Sequence, residues 1–344
     1  MSVTKRYFLA ANGFSGFRSR FDSMLSNKSI NKLYIIKGGS GVGKSTLMRS
    51  VSAHFADSGY CVEEIPCSSD PTSLDGVVIK SECGDVVLID GTSPHEYDMR
   101  YPIARDHIVD LSKHLDEDAL TNKKKEIMSL VDKKKKAYEN AYKYLHLAGE
   151  CYKILHNVID RYINDEQLEQ LAESLFGKRI CDKCEVESHL YSAFSKSGIV
   201  TLDTAADKCE RTYYFESGYK AQALFSRLVT KISKRAGSIE LFSSPFSDDI
   251  IDGFCVNNEA VFKSSDLLPT YKPECYIDDM EENDLSSLRE SEKMLELAIS
   301  AAKDALAQAS VSHFALEEIY GEAMDFEKNT RLTRKLIEKI ASEV

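Results

Sequence analysis

Residues 38–45 read Gly38-Gly39-Ser40-Gly41-Val42-Gly43-Lys44-Ser45, and Thr46 follows. The stretch fits G-x-x-x-x-G-K-[ST], a glycine loop that cradles phosphate. Before it, Leu33-Tyr34-Ile35-Ile36 is a short apolar run of β type. After it, Thr46-Leu47-Met48-Arg49-Ser50-Val51 opens an amphipathic helix. Strand, loop and helix stand in the order that phosphate binding needs. Gly38, Gly39, Gly41 and Gly43 let the backbone turn its N–H groups toward one point, and the helix start adds its partial positive charge there. Lys44 brings a mobile cation to the outer phosphates, and the Ser45 hydroxyl is a hard oxygen ligand for Mg²⁺. The ligands expected are a nucleoside triphosphate and Mg²⁺, bound along residues 38–46.

Such a loop works with an acidic partner. Asp85-Val86-Val87-Leu88-Ile89-Asp90-Gly91 reads as a buried strand that delivers the Asp90 carboxylate to its C-terminal edge, where it orients the metal as a Walker B aspartate. The competing reading is a core strand closed by an Asp-Gly turn. One helix and one strand, Tyr60-Cys61-Val62-Glu63-Glu64-Ile65-Pro66, are expected between the loop and Asp90. That strand runs into Cys67-Ser68-Ser69-Asp70-Pro71-Thr72-Ser73-Leu74-Asp75-Gly76. Ligands of open α/β sheets sit outside the carboxyl ends of the strands, which places Asp70 and Asp75 as candidate general bases or water-orienting groups. Asp-Pro and Asp-Gly turn chemistry explains both equally well. Beyond Asp90, Thr92, Ser93 and His95 are candidates to sense the terminal phosphate. Arg100 and Arg105 are candidates to neutralise it, although exposed arginines are common.

The 344 residues suffice for two domains of ordinary size, and no apolar run approaches the length of a membrane helix. Residues 1–8 have no long apolar core, so a secretory signal is not expected. Nine scattered cysteines then read as reduced thiols, and the chain as cytoplasmic. A net charge of −11 argues against a general nucleic-acid binder.

The chain repeats itself. Residues 8–16 correspond to 190–198, Tyr34-Ile35-Ile36 to Tyr213-Tyr214-Phe215, the helix at Leu47 to that at Leu224, and residues 73–79 to 250–256. Duplication is the simplest account. The second copy lacks the chemistry of the first: Glu216-Ser217-Gly218-Tyr219-Lys220-Ala221-Gln222 has one glycine, and Glu216 repels phosphate. The strand from Glu259 to Ser265 ends without an aspartate. The second half is expected to keep the fold and lose nucleotide binding.

Each half is followed by a helical stretch with apolar residues alternating by three and four. These are Val131, Lys134, Tyr138, Ala141, Leu145, Ala148, Tyr152, Leu155, Ile159 and Tyr162, and then Leu295, Ile299, Ala302, Leu306, Ala309, His313, Leu316, Tyr320 and Ala323. That is the period of helices packed along a seam, so the two arms are expected to pack together, with His313 as a packing residue. The basic runs 123–125 and 133–136 read as a solvated face, or else as a surface for nucleic acid or acidic partners. Cys181-Asp182-Lys183-Cys184, with His189 and Cys209, has one metal-like spacing but no second Cys-x-x-Cys. The fold class expected is α/β, a three-layer phosphate-loop domain duplicated and followed each time by a coiled-coil-like arm. Its boundaries are 1–106, 107–180, 181–282 and 283–344.

The first hundred residues resemble a P-loop NTPase. More narrowly, residues 34–46, Cys67-Ser68-Ser69-Asp70-Pro71 with Leu74-Asp75-Gly76, and Ile89-Asp90-Gly91-Thr92-Ser93-Pro94-His95 resemble a poorly characterised bacterial family of tandem P-loop proteins, ATPase-like or nucleotide-kinase-like. The resemblance extends over most of the chain, including Ala323-Met324-Asp325-Phe326. It implies ATP as the nucleotide. In that family both halves can carry the loop, and here the second departs. The expected function is a Mg²⁺-dependent ATPase, with Lys44, Asp90, Asp70 and Asp75 as the catalytic set, whose nucleotide state moves the helical arms or a protein partner bound through them. Gly91 stands where many hydrolytic relatives keep a carboxylate. The alternatives are a small-molecule or nucleotide kinase and a nucleotide-gated scaffold with little turnover.

Overall fold

A computed structural model describes residues 5–94, 96–177, 184–202, 209–256, 259–264 and 271–344. It is a mixed α/β structure. The first sheet is built from β1 (Lys5–Arg6), β4 (Ile30–Lys37), β5 (Cys61–Pro66), β6 (Leu74–Lys80), β7 (Asp85–Asp90) and β8 (Asp106–Asp110), in the order β1-β5-β6-β7-β4-β8. β6 runs antiparallel to both its neighbours, and the other pairings are parallel. Two strands therefore separate the loop helix from β7, where the sequence pattern predicts one. The residues from Leu74 onward fold back as a hairpin partner of β5 instead of ending in a loop.

Alternation along the strands explains the layers. Tyr34, Ile36, Val86 and Leu88 face α2 (Lys44–Asp57), burying its Leu47, Met48, Val51 and Phe55. Leu33, Ile35, Val87 and Ile89 face the other way, onto Phe21 and Leu25 of α1 (Phe21–Leu25). The hairpin β2 (Ala10–Gly13) and β3 (Gly16–Ser19) precedes α1.

The second sheet contains β9 (Glu185–His189), β12 (Arg211–Glu216), β13 (Ser238–Ser243), β14 (Ile251–Val256) and β15 (Glu259–Ser264), in the order β12-β15-β14-β13-β9. Read from its other edge, the order and the sense of every pairing match β1-β5-β6-β7-β4. A parallel bridge from Phe215 to Tyr271 stands where β8 lies in the first sheet. A hairpin, β10 (Ser192–Ser195) and β11 (Gly198–Thr201), again follows the first strand, and α6 (Tyr219–Ile232) takes the place of α2.

Two long helices join the sheets. α4 (Lys124–Tyr162), preceded by the short α3 (Glu117–Asn122), leads to α5 (Asp165–Phe176), which packs on the second sheet through Leu168, Leu171 and Leu175. α7 (Glu282–Glu322) leads back to α8 (Phe326–Ala341), whose Leu336 and Ile340 pack on the first sheet. Each long helix thus starts after one sheet and ends on the other. The pair is antiparallel: Lys123 meets Glu322 at one end, and Arg161 and Tyr162 meet Asp284 at the other. Ala141, Leu145, Ala302, Ala305 and Leu306 fill the seam. Alanines on both helices let the axes approach closely. Val131, expected on the seam, is exposed. Among the described residues, no helix is long and apolar enough to cross a membrane.

Candidate functional site

The turn from β4 into α2 forms at the C-terminal edge of the first sheet. Gly41 and Gly43 take positive φ (72° and 90°), which L side chains rarely adopt, so glycine is required at both. Val42 turns inward and is fully buried, anchoring residues 38–43 to the core. Lys44 begins α2, and its ammonium donates to the Gly38 and Gly39 carbonyls at 3.1 and 2.7 Å. It lies 3.6 Å from an Asp90 carboxylate oxygen at the end of β7. The other Asp90 oxygen accepts from the Thr92 N–H and hydroxyl. Burial pushes the Asp90 carboxyl above the ordinary range; Lys44 and Thr92 pull it down, and nearby Asp75 pushes it up. Ser45 accepts a hydrogen bond from the Leu74 N–H at 2.9 Å, tying the helix start to β6. Thr46 is exposed.

Asp75 is buried at the start of β6. Because β6 is antiparallel, its first residues lie at the same edge as the last residues of β4 and β7. Burial, and then the Asp75 charge beside it, push the Cys67 thiol well up. Asp70 accepts from the N–H and hydroxyl of Thr72, an Asx turn, so at Asp70 the turn chemistry is realised. His95 lies outside the described residues.

Arg100 and Arg105 are placed away from this edge. The chain after β7 returns to the opposite edge before β8 begins: Arg105 immediately precedes the first residue of β8, and its carbonyl accepts from Leu33 near the start of β4. Arg100 pairs with Asp22, and Arg105 with the fully buried Asp106. Burial pushes Asp106 up, but Arg105 and the N–H groups of Tyr101 and Arg100 outweigh it and hold its carboxyl below the ordinary range. The two arginines organise a β8 entry turn, and neither reaches the loop.

The helical arms do reach it. Tyr320 of α7 packs on Gly39, and a Cβ at Gly41 would collide with the Glu317 carbonyl. The His313 ring lies 3.4 Å from the Ser40 hydroxyl through one nitrogen and 3.4 Å from Glu317 through the other. Asn329 of α8, buried, donates to the Val42 carbonyl at 2.8 Å, while its own Oδ1 is buried without a partner. From α4, the Tyr138 hydroxyl donates to Ser69 at 3.2 Å. The heptad spacing places His313 on the seam as a packing residue, and no sequence pattern singles out Glu317 or Asn329. Polar residues on a helix face carry no signal of what lies opposite.

The second sheet differs at each of these points. Two residues, Ser217 and Gly218, join β12 to α6, against six between β4 and α2. By strand register, Lys263 stands at the position of Asp90, and Asp252 at that of Asp75. Lys263 pairs with the buried Asp252 at 2.7 Å, and Gln222 also donates to Asp252. Lys220 turns outward to Glu274. Of the candidate thiol–histidine cluster, residues 181–183 lie outside the described residues, His189 lies 3.3 Å from Glu240, and the Cys209 sulfur is 3.0 Å from that of Cys255. Among the described residues, no group of three or more His, Cys, Asp or Glu could hold a metal ion. Apart from Lys134, the lysines of the run 133–136 are exposed, and Lys133 and Lys136 help line a shallow surface cavity of about 480 Å³ with Lys125, Met128, Ser129 and Asp132.

Protein-family models, curated proteins and solved structures were all compared with the chain, and none matched.

Proposed function

We propose that the first half binds one nucleoside triphosphate, ATP by the sequence resemblance, with Mg²⁺, and hydrolyses it slowly. The observation that carries this reading is the convergence of Lys44 and Asp90, 3.6 Å apart, where a glycine loop enters a helix. Backbone N–H groups and the α2 terminus supply the anion site. The donor set fits a hard cation: one hydroxyl from Ser45 and one carboxylate from Asp90, leaving positions for phosphate oxygens and water. Mg²⁺ held there would neutralise phosphate charge. Lys44 would leave the loop carbonyls for the phosphates, and Asp75, beside Cys67, is the remaining buried carboxylate at the edge.

The packing of α7 and α8 on the loop supports coupling between occupancy and the helical pair. Any shift of residues 39–42 must displace Tyr320, His313, Glu317 or Asn329. We read the matched strand orders as a duplicated phosphate-loop domain whose second copy has lost the loop and holds a lysine where the aspartate belongs. The kinase reading loses the two arginines that supported it. Purified protein with MgATP and no added acceptor should release phosphate steadily, and Lys44→Ala should abolish the release. Label transfer to an added metabolite would favour the kinase. Binding without release or transfer would favour the scaffold.

A further inference from the structure

Lys134 differs from the other lysines of its run. Lys133, Lys135 and Lys136 are exposed, while Lys134 is half-buried on the inner side of α4. One helical turn further along the same face, Tyr138 bonds to Ser69 in the segment between β5 and β6. On the facing helix, His313 and Glu317 sit against Ser40 and Gly41. Lys134 therefore lies on the face of α4 that turns toward the β5–β6 segment, near enough to Lys44 of the glycine loop and to Glu317 to feel both charges. Among the described residues its ammonium makes no hydrogen bond or ion pair. Burial and the neighbouring Lys44 charge hold it below the ordinary lysine range, and Glu317 acts in the opposite direction. The Lys44 and Lys134 ammonium groups are thus close enough to repel each other, one on the glycine loop and one on the helical pair. A half-buried cation without a partner is costly, and an anion arriving between the two would relieve that cost.

We propose that Lys134 is a second phosphate ligand of this site, supplied by the helical pair, and that it contacts the terminal phosphate of a nucleoside triphosphate. This rests on the triphosphate reading above. The placement selects the outermost phosphate. The loop N–H groups and the α2 terminus would take the inner phosphates, whereas Lys134 comes from the helical pair, on the side of Cys67 and Glu317. A diphosphate would leave Lys134 without a contact. The triphosphate would pin α4 to the loop that α7 already touches, so that loss of the terminal phosphate frees one wall of the cleft.

Calorimetric titration tests this with adenylyl imidodiphosphate and with ADP, both in Mg²⁺, on the wild type, Lys134→Met, Lys134→Arg and the exposed control Lys133→Met. The methionine keeps an apolar stem of similar reach. Lys134→Met should lose at least about tenfold in affinity for the triphosphate analogue, the loss of one charge-assisted hydrogen bond, and less than about twofold for ADP. Lys134→Arg should stay within about threefold for both, and Lys133→Met should match the wild type. Equal losses for the two nucleotides would show a structural role and overturn the proposal, as would unchanged triphosphate binding in Lys134→Met or an arginine variant as weak as the methionine one. If Lys134→Met does not fold, Lys134→Gln is read by the same ratio. A wild type that takes up neither nucleotide overturns the site reading itself, and this inference with it.

Discussion

The two sheets share strand order and sense over five strands, and they differ in loop length and in the charges at the strand ends beside it. Six residues join β4 to α2, and two join β12 to α6. Asp90 ends β7, while Lys263 occupies the matching register of β15 and closes on Asp252. The fold persists without the glycine loop because strand pairing and core burial fix the fold, while a loop and a few side chains at one edge fix the chemistry. In the first half, a partly buried lysine and carboxylate stand 3.6 Å apart, beside the glycine loop proposed to receive an anion. In the second, the equivalent space is closed by an ion pair at 2.7 Å.

The largest expected contrast is between Lys44 and Lys220. Lys44→Ala should weaken triphosphate binding at least about 100-fold, through loss of charge-assisted contacts, while Lys220→Ala should stay within about twofold. Comparable losses in calorimetry would erase the distinction between the halves. Next comes Lys263→Ala. It strands the Asp252 carboxylate in the core of the second sheet and should cost about 3 kcal/mol in denaturant unfolding, with nucleotide affinity unchanged. A variant as stable as the wild type would mean that the pair does not hold that edge closed. Gly41→Ala combines a positive φ with a collision against α7, and should cost about 1–3 kcal/mol while weakening binding.

The smallest effect on folding is expected at Asp90. Its folded carboxyl lies above the ordinary range, so the charged form costs stability once pH rises past the unfolded value. Asp90→Asn removes that cost, and its melting temperature at pH 7 should equal or exceed that of the wild type. Binding should lose its Mg²⁺ dependence at the same time. In the wild type, Mg²⁺-dependent binding should fall as pH drops through a value above that of an ordinary carboxylate. Titration of Mg²⁺ against nucleotide affinity across pH checks both, and a clear loss of stability in Asp90→Asn would contradict the sign.

The loop, its flanking strand and helix, the Asp90 strand and the repeated order of elements were all legible, because each leaves a local pattern of glycines or alternating apolar residues. The antiparallel direction of β6 was not: Leu74-Asp75-Gly76-Val77-Val78-Ile79 spells a buried strand but carries no mark of its direction. Arg100 and Arg105 looked close to Asp90 in the sequence, yet the chain crosses to the far edge of the sheet between them. The contacts of His313, Glu317, Tyr320 and Asn329 with the loop span more than two hundred residues of chain. Heptad spacing revealed that α4 and α7 pack together, but not that the last turns of α7 lie over residues 39–41.

The central claim is one anion site per chain, in the first half alone. Calorimetric stoichiometry with a triphosphate analogue and Mg²⁺ tests it most directly. The account predicts one molecule bound per wild-type chain and none in Lys44→Ala, whereas two equivalent molecules, or none in the wild type, would contradict it.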